Sequence, residues 1–160
     1  MKLNKFCLLF FLILFTGIIL PQSSPDKVVD MKVKSPKVIS LNKLTEAEII
    51  LQIKNGWHIN SNKPLDENLS PTVISIKDNP NIQIKKIIYP EPVITKLQFS
   101  QSQMALYEGE AIVKIQFLVK KDFKKSILKL EGEVQYQPCN NQTCLFPTAK
   151  NFSTNLKIKK

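Results

Sequence analysis

Apolar and polar residues alternate along most of the chain after its first two dozen positions, in short runs separated by Pro, Gly, Asn and Asp. Such alternation is typical of half-buried β-strands. It predicts strands at 28–34, 37–41, 46–54, 57–59, 72–77, 82–89, 111–120, 126–137 and 152–158. Residues 60–71 and 90–104 show no clear period and are predicted as loops, and no stretch has a persuasive helical period.

The longest runs identify the faces that should form the core. Ala47, Ile49, Leu51 and Ile53 share one face of their predicted strand. The same holds for two further sets, Val113, Ile115, Phe117 and Val119, and Leu128, Leu130, Val134 and Tyr136. About eight strands of this kind predict an all-β, antiparallel β-sandwich whose sheets each have a wet face. A parallel α/β fold would need helical crossovers that the sequence does not offer.

The first 24 residues have the layout of a secretory signal peptide. Lys2 and Lys5 precede an uncharged stretch, Phe6–Leu20, after which polar residues return. Fifteen residues are short for a membrane span, which needs roughly 20. The cleavage pattern is poor, so an uncleaved anchor stays open as the alternative. Residues 25–160 are predicted to form one domain in an oxidising compartment.

The basic charge does not indicate a nucleic-acid partner. The chain has 23 basic residues against 13 acidic ones, a formal net charge of +10, and every basic residue is Lys. Proteins that bind nucleic acids rely on the Arg fork to contact phosphate and guanine. We therefore expect a solvated lysine surface and no nucleic-acid partner.

Two cysteines carry the chemistry that the sequence offers. Cys139 and Cys144 are separated by four polar residues at the end of a predicted strand, between Pro138 and Pro147, whereas Cys7 lies in the leader. A disulfide closing so small a loop would stabilise the fold by only about 2 kcal/mol. A polar loop leaves sulfurs open to thiol exchange. From the residues alone, a structural staple and a redox centre both stay open.

The sequence gives little support for a metal site or for a catalytic histidine. A zinc site would need four ligands, whereas the mature chain offers two cysteines and one histidine, so neither a metal nor a cofactor is expected. His58 could serve as a base or charge partner for a thiolate. We favour the simpler interpretation of His58 as an ordinary strand residue beside Trp57, which is predicted to lie in the core.

Several short motifs, in order, resemble the N-terminal periplasmic domain of the thiol:disulfide interchange protein DsbD. They are Gly56-Trp57-His58-Ile59-Asn60-Ser61-Asn62-Lys63-Pro64, Pro71-Thr72, Tyr89-Pro90, Tyr107-Glu108-Gly109, and Tyr136-Gln137-x-Cys139 with Cys144-x-x-Pro147. The motif that contains the two cysteines is the most specific. The resemblance covers roughly residues 38–152.

The resemblance implies an immunoglobulin-like sandwich and a Cys139–Cys144 pair that cycles between disulfide and dithiol. In the family, such a pair receives electrons from a thioredoxin-like domain. It passes them to periplasmic disulfide proteins, including the isomerase and cytochrome c maturation branches. An aromatic cap loop, matched here by residues 95–107 with Phe99 as cap candidate, would shield the pair. Tyr136, Gln137 and Pro147 would flank it.

The cysteine loop departs from the family pattern in its length. The loop between the cysteines has four residues, one fewer than in the best-known member. The electron donor is expected to be a separate membrane protein. We therefore expect a periplasmic, monomeric thiol–disulfide exchange protein, which is an interchange enzyme if active, with thioredoxin-like partners. The alternative is a non-catalytic envelope binding module whose disulfide only braces a loop.

Overall fold

The protein is described by a computed structural model over residues 24–159, and β-strands dominate this part of the chain. After a 3-10 turn, Pro25–Lys27, the strands are β1 (Val29–Lys34), β2 (Val38–Ile39), β3 (Thr45–Ile53), β4 (His58–Asn60), β5 (Val73–Ile76), β6 (Ile82–Ile88), β7 (Val93–Thr95), β8 (Met104–Tyr107), β9 (Glu110–Val119), β10 (Ile127–Tyr136), β11 (Pro138–Cys139) and β12 (Thr148–Ile158). Every predicted strand has a counterpart, with ends shifted by a few residues.

The strands form three four-stranded sheets. Sheet I has the order β1-β3-β9-β6, sheet II the order β2-β12-β10-β5, and sheet III the order β11-β4-β8-β7. All pairs are antiparallel except β2 with β12. The predicted all-β class with antiparallel sheets is thus confirmed.

The main core contains the inward faces of sheets I and II. In β3 the burial alternates without interruption, and the predicted face of Ala47, Ile49, Leu51 and Ile53 is buried. The predicted apolar faces of β9 and β10 are buried in the same cluster. Because side chains alternate across a strand, each sheet gives one face to this core and the other to solvent. The arrangement is the predicted immunoglobulin-like sandwich.

Sheet III is the part of the fold that the sequence pattern described least well. Residues 90–104 were predicted as a loop, but they contain β7 and the first residue of β8. Val93 and Ile94 are both exposed, so β7 has no alternation to detect. The predicted polar loop at 60–71 likewise begins with two fully buried residues, Asn60 and Ser61. Sheet III carries the cysteine loop at its β11 edge.

The predicted leader falls almost entirely on residues 1–23, which lie outside the described residues, so the boundary at residue 24 stays a prediction. Within residues 24–159, no helix is long and apolar enough to cross a membrane.

Candidate functional site

Cys139 and Cys144 form a disulfide across a tight loop that leaves the edge of sheet III. Their Cα atoms are 4.0 Å apart, and the two residues form an isolated antiparallel bridge. Asn140 shapes the loop, because its side-chain oxygen accepts the amides of Gln142 and Thr143 at 2.8 and 2.9 Å. This arrangement is an Asx-turn, in which an Asn side chain accepts a backbone amide two residues further on. The Leu145 amide donates to the Pro138 carbonyl at 2.8 Å and closes the loop.

The two sulfurs have different surroundings. Cys139 is fully buried, in a small apolar cluster with Leu97, Met104 and Leu106, whereas Cys144 is half-buried and packs against the edge of that cluster. Exchange requires a thiolate to approach a disulfide sulfur in line with the bond. Cys144 is the more exposed of the two cysteines.

A cleft of about 550 Å³ opens beside Cys144. Trp57, Gln137 and Phe146 are among the residues that line it. Phe146 is 87% exposed, although it lies in a loop whose neighbouring strands bury their apolar residues. An exposed aromatic side chain next to an accessible sulfur is a feature of interaction surfaces.

Gln137 is the polar centre of the site. Its Oε1 accepts hydrogen bonds from Asn60 Nδ2 at 3.0 Å and from the Ser70 amide at 2.9 Å. Its Nε2 donates to the Leu145 carbonyl at 3.1 Å. One side chain therefore joins β4, the segment before β5 and the exit of the cysteine loop.

His58 and Glu108 extend the site across sheet III. His58 lies opposite Cys139 in the β4–β11 register, and its Nε2 is 3.0 Å from Glu108 Oε2 beside the end of β8. Directly opposite residues project to the same face of a sheet. The Nδ1 atom of His58 is buried without a hydrogen-bond partner. Among residues 24–159, no group of three or more His, Cys, Asp and Glu side chains is arranged to hold a metal ion.

The remaining predicted site residues lie further from the sulfurs or at the surface. Tyr136 is fully buried in the main core, and its hydroxyl donates to the Pro25 carbonyl at 3.4 Å. Burial, with Asp26 and Asp30 adding to the effect, raises the pKa of Tyr136 to about 12. Phe99 is 42% exposed, and Pro147 is exposed where β12 is about to begin. Their proposed roles beside the sulfurs stay predictions.

Sequence reasoning missed Asn60, Leu97 and Glu108 as members of the site. Asn60 was assigned to a polar loop, but it follows His58 and Ile59 in an alternating triplet, which is the signal that could have placed it on a strand. Leu97 lies two residues before the cap candidate Phe99. It is buried, whereas Phe99 is exposed. Glu108 appeared in the sequence only as a member of the Tyr107-Glu108-Gly109 motif, and its pairing with His58, 50 positions away, could not be seen.

Together these features define a class: an immunoglobulin-like β-sandwich with a disulfide at the edge of a small third sheet, of which one cysteine is buried and the other half-buried. Residues 26–156 match the family model for the N-terminal domain of the thiol:disulfide interchange protein DsbD, and the chain belongs to this family.

A solved structure shares this fold. The chain is similar to the N-terminal periplasmic domain of ScsB from Proteus mirabilis, with 17% identity and a TM-score of 0.52; the match covers 85% of this chain and 49% of that one. The chain thus spans about half of that structure, and at this identity the likeness concerns the fold alone. A cohesin module from a Clostridium perfringens family 33 glycoside hydrolase shares 9% identity over 82% of this chain and 96% of that one, with a TM-score of 0.48. No curated protein sequence matches the chain.

Proposed function

We propose that this protein is a periplasmic thiol–disulfide exchange protein that passes reducing equivalents through the Cys139–Cys144 pair to disulfide proteins of the cell envelope. Its electron donor is a separate membrane protein, and its partners carry thioredoxin-like dithiols. Membership of the DsbD N-terminal family supports the chemistry and the compartment.

The observation that carries this proposal is the unequal exposure of the two sulfurs. A disulfide that only stabilises a loop does not need an accessible sulfur. A redox-active disulfide needs one sulfur that a partner thiolate can attack and a second sulfur that departs as the leaving group. Cys144 is half-buried beside an open cleft, and Cys139 is fully buried in the apolar cluster.

The chemistry follows from this arrangement. A partner thiolate attacks Cys144 Sγ, the Cys139–Cys144 bond breaks, and Cys139 leaves as a thiolate that takes up a proton. The second thiolate of the partner then attacks the partner sulfur of the mixed disulfide and releases Cys144 as a thiolate. The partner ends as a disulfide and this domain as a dithiol, with two electrons transferred. Delivery to an acceptor is the reverse sequence, in which the Cys144 thiolate attacks the acceptor disulfide.

The first test is the reduction potential of the pair, measured against a glutathione buffer. A relay is expected between roughly −270 and −180 mV, among the exchange-competent couples. A potential below about −300 mV would identify a structural bridge and favour the binding-module alternative.

The second test distinguishes the two sulfurs. In a Cys7→Ser background, the Cys139→Ser variant keeps the accessible Cys144 and is expected to trap mixed disulfides with a thioredoxin-like protein. The matched Cys144→Ser variant should trap at least tenfold less, because Cys139 is buried. Equal trapping by the two variants would contradict attack at Cys144.

A further inference from the structure

Asn60 is fully buried next to the sulfur of Cys139. Its Oδ1 atom lies 3.8 Å from Cys139 Sγ. Its Nδ2 donates to the Ser70 carbonyl and to Gln137 Oε1, both at 3.0 Å. These two bonds use both donors of the amide and fix its orientation, so that the oxygen must point towards Cys139.

That oxygen has no true donor while the disulfide is intact. A disulfide sulfur carries no proton, and the described residues supply no N–H or O–H donor to Asn60 Oδ1. A buried acceptor without a donor bears an uncompensated desolvation penalty. Reduction places a thiol proton on Cys139 at this distance and removes the penalty.

We propose that Asn60 is a positioning residue for the exchange reaction: in the dithiol state its side-chain oxygen accepts the hydrogen bond of the Cys139 thiol and keeps Cys139 protonated. The inference rests on the proposed function. A carbonyl oxygen beside the sulfur favours the thiol over the thiolate, because it stabilises the proton and opposes the negative charge.

Two consequences follow for the reaction. The dithiol state gains a hydrogen bond that the disulfide state lacks, which shifts the equilibrium towards reduction. Cys139, held as a thiol, is also a poor nucleophile towards a mixed disulfide at Cys144. The mixed disulfide with an electron donor therefore persists until the second cysteine of the donor resolves it, with Cys144 leaving as the thiolate. Delivery to an acceptor requires Cys139 to give up this proton before it attacks Cys144 and releases the acceptor thiolate.

His58 is the competing acceptor for the same proton. It lies opposite Cys139 in the register, and its buried Nδ1 has no partner, while Glu108 holds its Nε2. His58 and Glu108 line a second cleft, of about 610 Å³, in which Lys54 is the other charged residue. The geometry favours Asn60, since its oxygen is fixed in orientation at 3.8 Å from the sulfur.

The experiment compares four proteins in the full-length Cys7→Ser background: the parent, Asn60→Leu, His58→Phe and Thr72→Val. Each is equilibrated with glutathione at pH 7, and the dithiol and disulfide fractions are measured. Asn60→Leu is expected to shift the equilibrium about fivefold towards the disulfide, which is ~20 mV for this two-electron couple. Thr72→Val removes a neighbouring buried hydrogen bond, from Thr72 Oγ1 to the Asn60 carbonyl, and should leave the equilibrium within twofold of the parent.

Each result of this experiment supports or overturns a different claim. An Asn60→Leu equilibrium within twofold of the parent overturns the proposal, as does a shift of equal size in Thr72→Val. A shift in His58→Phe alone assigns the proton to His58 and also overturns it. A parent that stays oxidised over the whole glutathione range, and traps no partner, rejects the proposed function instead.

A second measurement covers the case in which Asn60→Leu fails to fold. The Cys7→Ser/Cys144→Ser variant retains only the Cys139 thiol, and Cys7→Ser/Cys139→Ser retains only the Cys144 thiol. The infrared S–H stretching band of Cys139 is expected at lower frequency than that of an alkanethiol in an apolar solvent, because a hydrogen-bonded S–H vibrates more slowly. The Cys144 thiol, which water can reach, supplies the value for a solvated S–H. A Cys139 band at the frequency of the alkanethiol would overturn the assignment.

Discussion

Leu97 covers Cys139. The two residues share one small buried cluster, in which Leu97 is 3% exposed and Cys139 is not exposed at all. Leu97 belongs to the segment between β7 and β8, within residues 95–107, for which the sequence resemblance predicts a cap loop. Between β7 and β8, the buried apolar residue that packs with the inner sulfur is therefore the aliphatic Leu97, while the aromatic Phe99 is 42% exposed.

Shortening Leu97 should expose the inner sulfur. We expect Leu97→Ala to raise the rate at which dithiothreitol reduces the native disulfide by about tenfold, and to lower the free energy of unfolding by about 2 to 3 kcal/mol. Phe99→Ala is the matched variant on the same segment and should change the reduction rate by less than threefold. A larger effect for Phe99→Ala would show that the aromatic residue is the cap.

Gln137 should contribute to stability through its hydrogen bonds. Gln137→Ala leaves Asn60 Nδ2 and the Ser70 amide without their shared acceptor, so we expect a loss of about 2 to 3 kcal/mol in urea unfolding of the oxidised protein. Gln135→Ala, on the exposed face of β10 two residues earlier, is the control and should cost less than about 0.5 kcal/mol. Similar losses in both variants would mean that the network contributes little.

Gly132 permits a close approach between β10 and its neighbours. A Cβ atom at this position would lie 2.4 Å from the Ser75 carbonyl oxygen, and it would also clash with the ring of Phe152. We expect Gly132→Ala to destabilise the protein by about 1 to 3 kcal/mol, measured by thermal or urea unfolding. Adding Phe152→Leu should recover only part of the loss, because the backbone clash remains. Full recovery would show that the ring alone requires glycine.

Tyr136 should make stability fall at alkaline pH. Its pKa is raised from 10.0 to about 12, first by burial and then by Asp26 and Asp30. The folded state therefore keeps the phenol proton at pH values where the unfolded state loses it. The resulting stabilisation is complete below pH 10 and is lost as the pH rises towards 12; it amounts to up to about 2 to 3 kcal/mol.

The Tyr136→Phe variant isolates this effect from the titration of the lysines. The difference in the free energy of unfolding between the wild type and Tyr136→Phe should shrink by about 1 to 1.4 kcal/mol for each pH unit between 10 and 12. A difference that stays constant over this range would mean that the phenol is not held in its neutral form.

Much of the fold could be predicted because strand alternation is a local signal. The buried faces of β3, β9 and β10 are visible as every second residue, and each proved to be buried. β7 and β11 could not be predicted, because neither shows an alternation: the first two residues of β7 are both exposed, and both residues of β11 are buried. They are strands only because β8 and β4 offer them backbone hydrogen-bonding partners.

The sequence by itself determined the sandwich, its core faces and the close spacing of the two cysteines, since these depend on residues near each other along the chain. Only the tertiary structure decided that Cys139 is the inner sulfur and Cys144 the outer one. It also brought Asn60 to Cys139 across a separation of 79 positions and to Gln137 across 77. No local pattern encodes such pairs, because burial and hydrogen bonding depend on which strands meet, and in sheet III that depends on the packing of the whole chain.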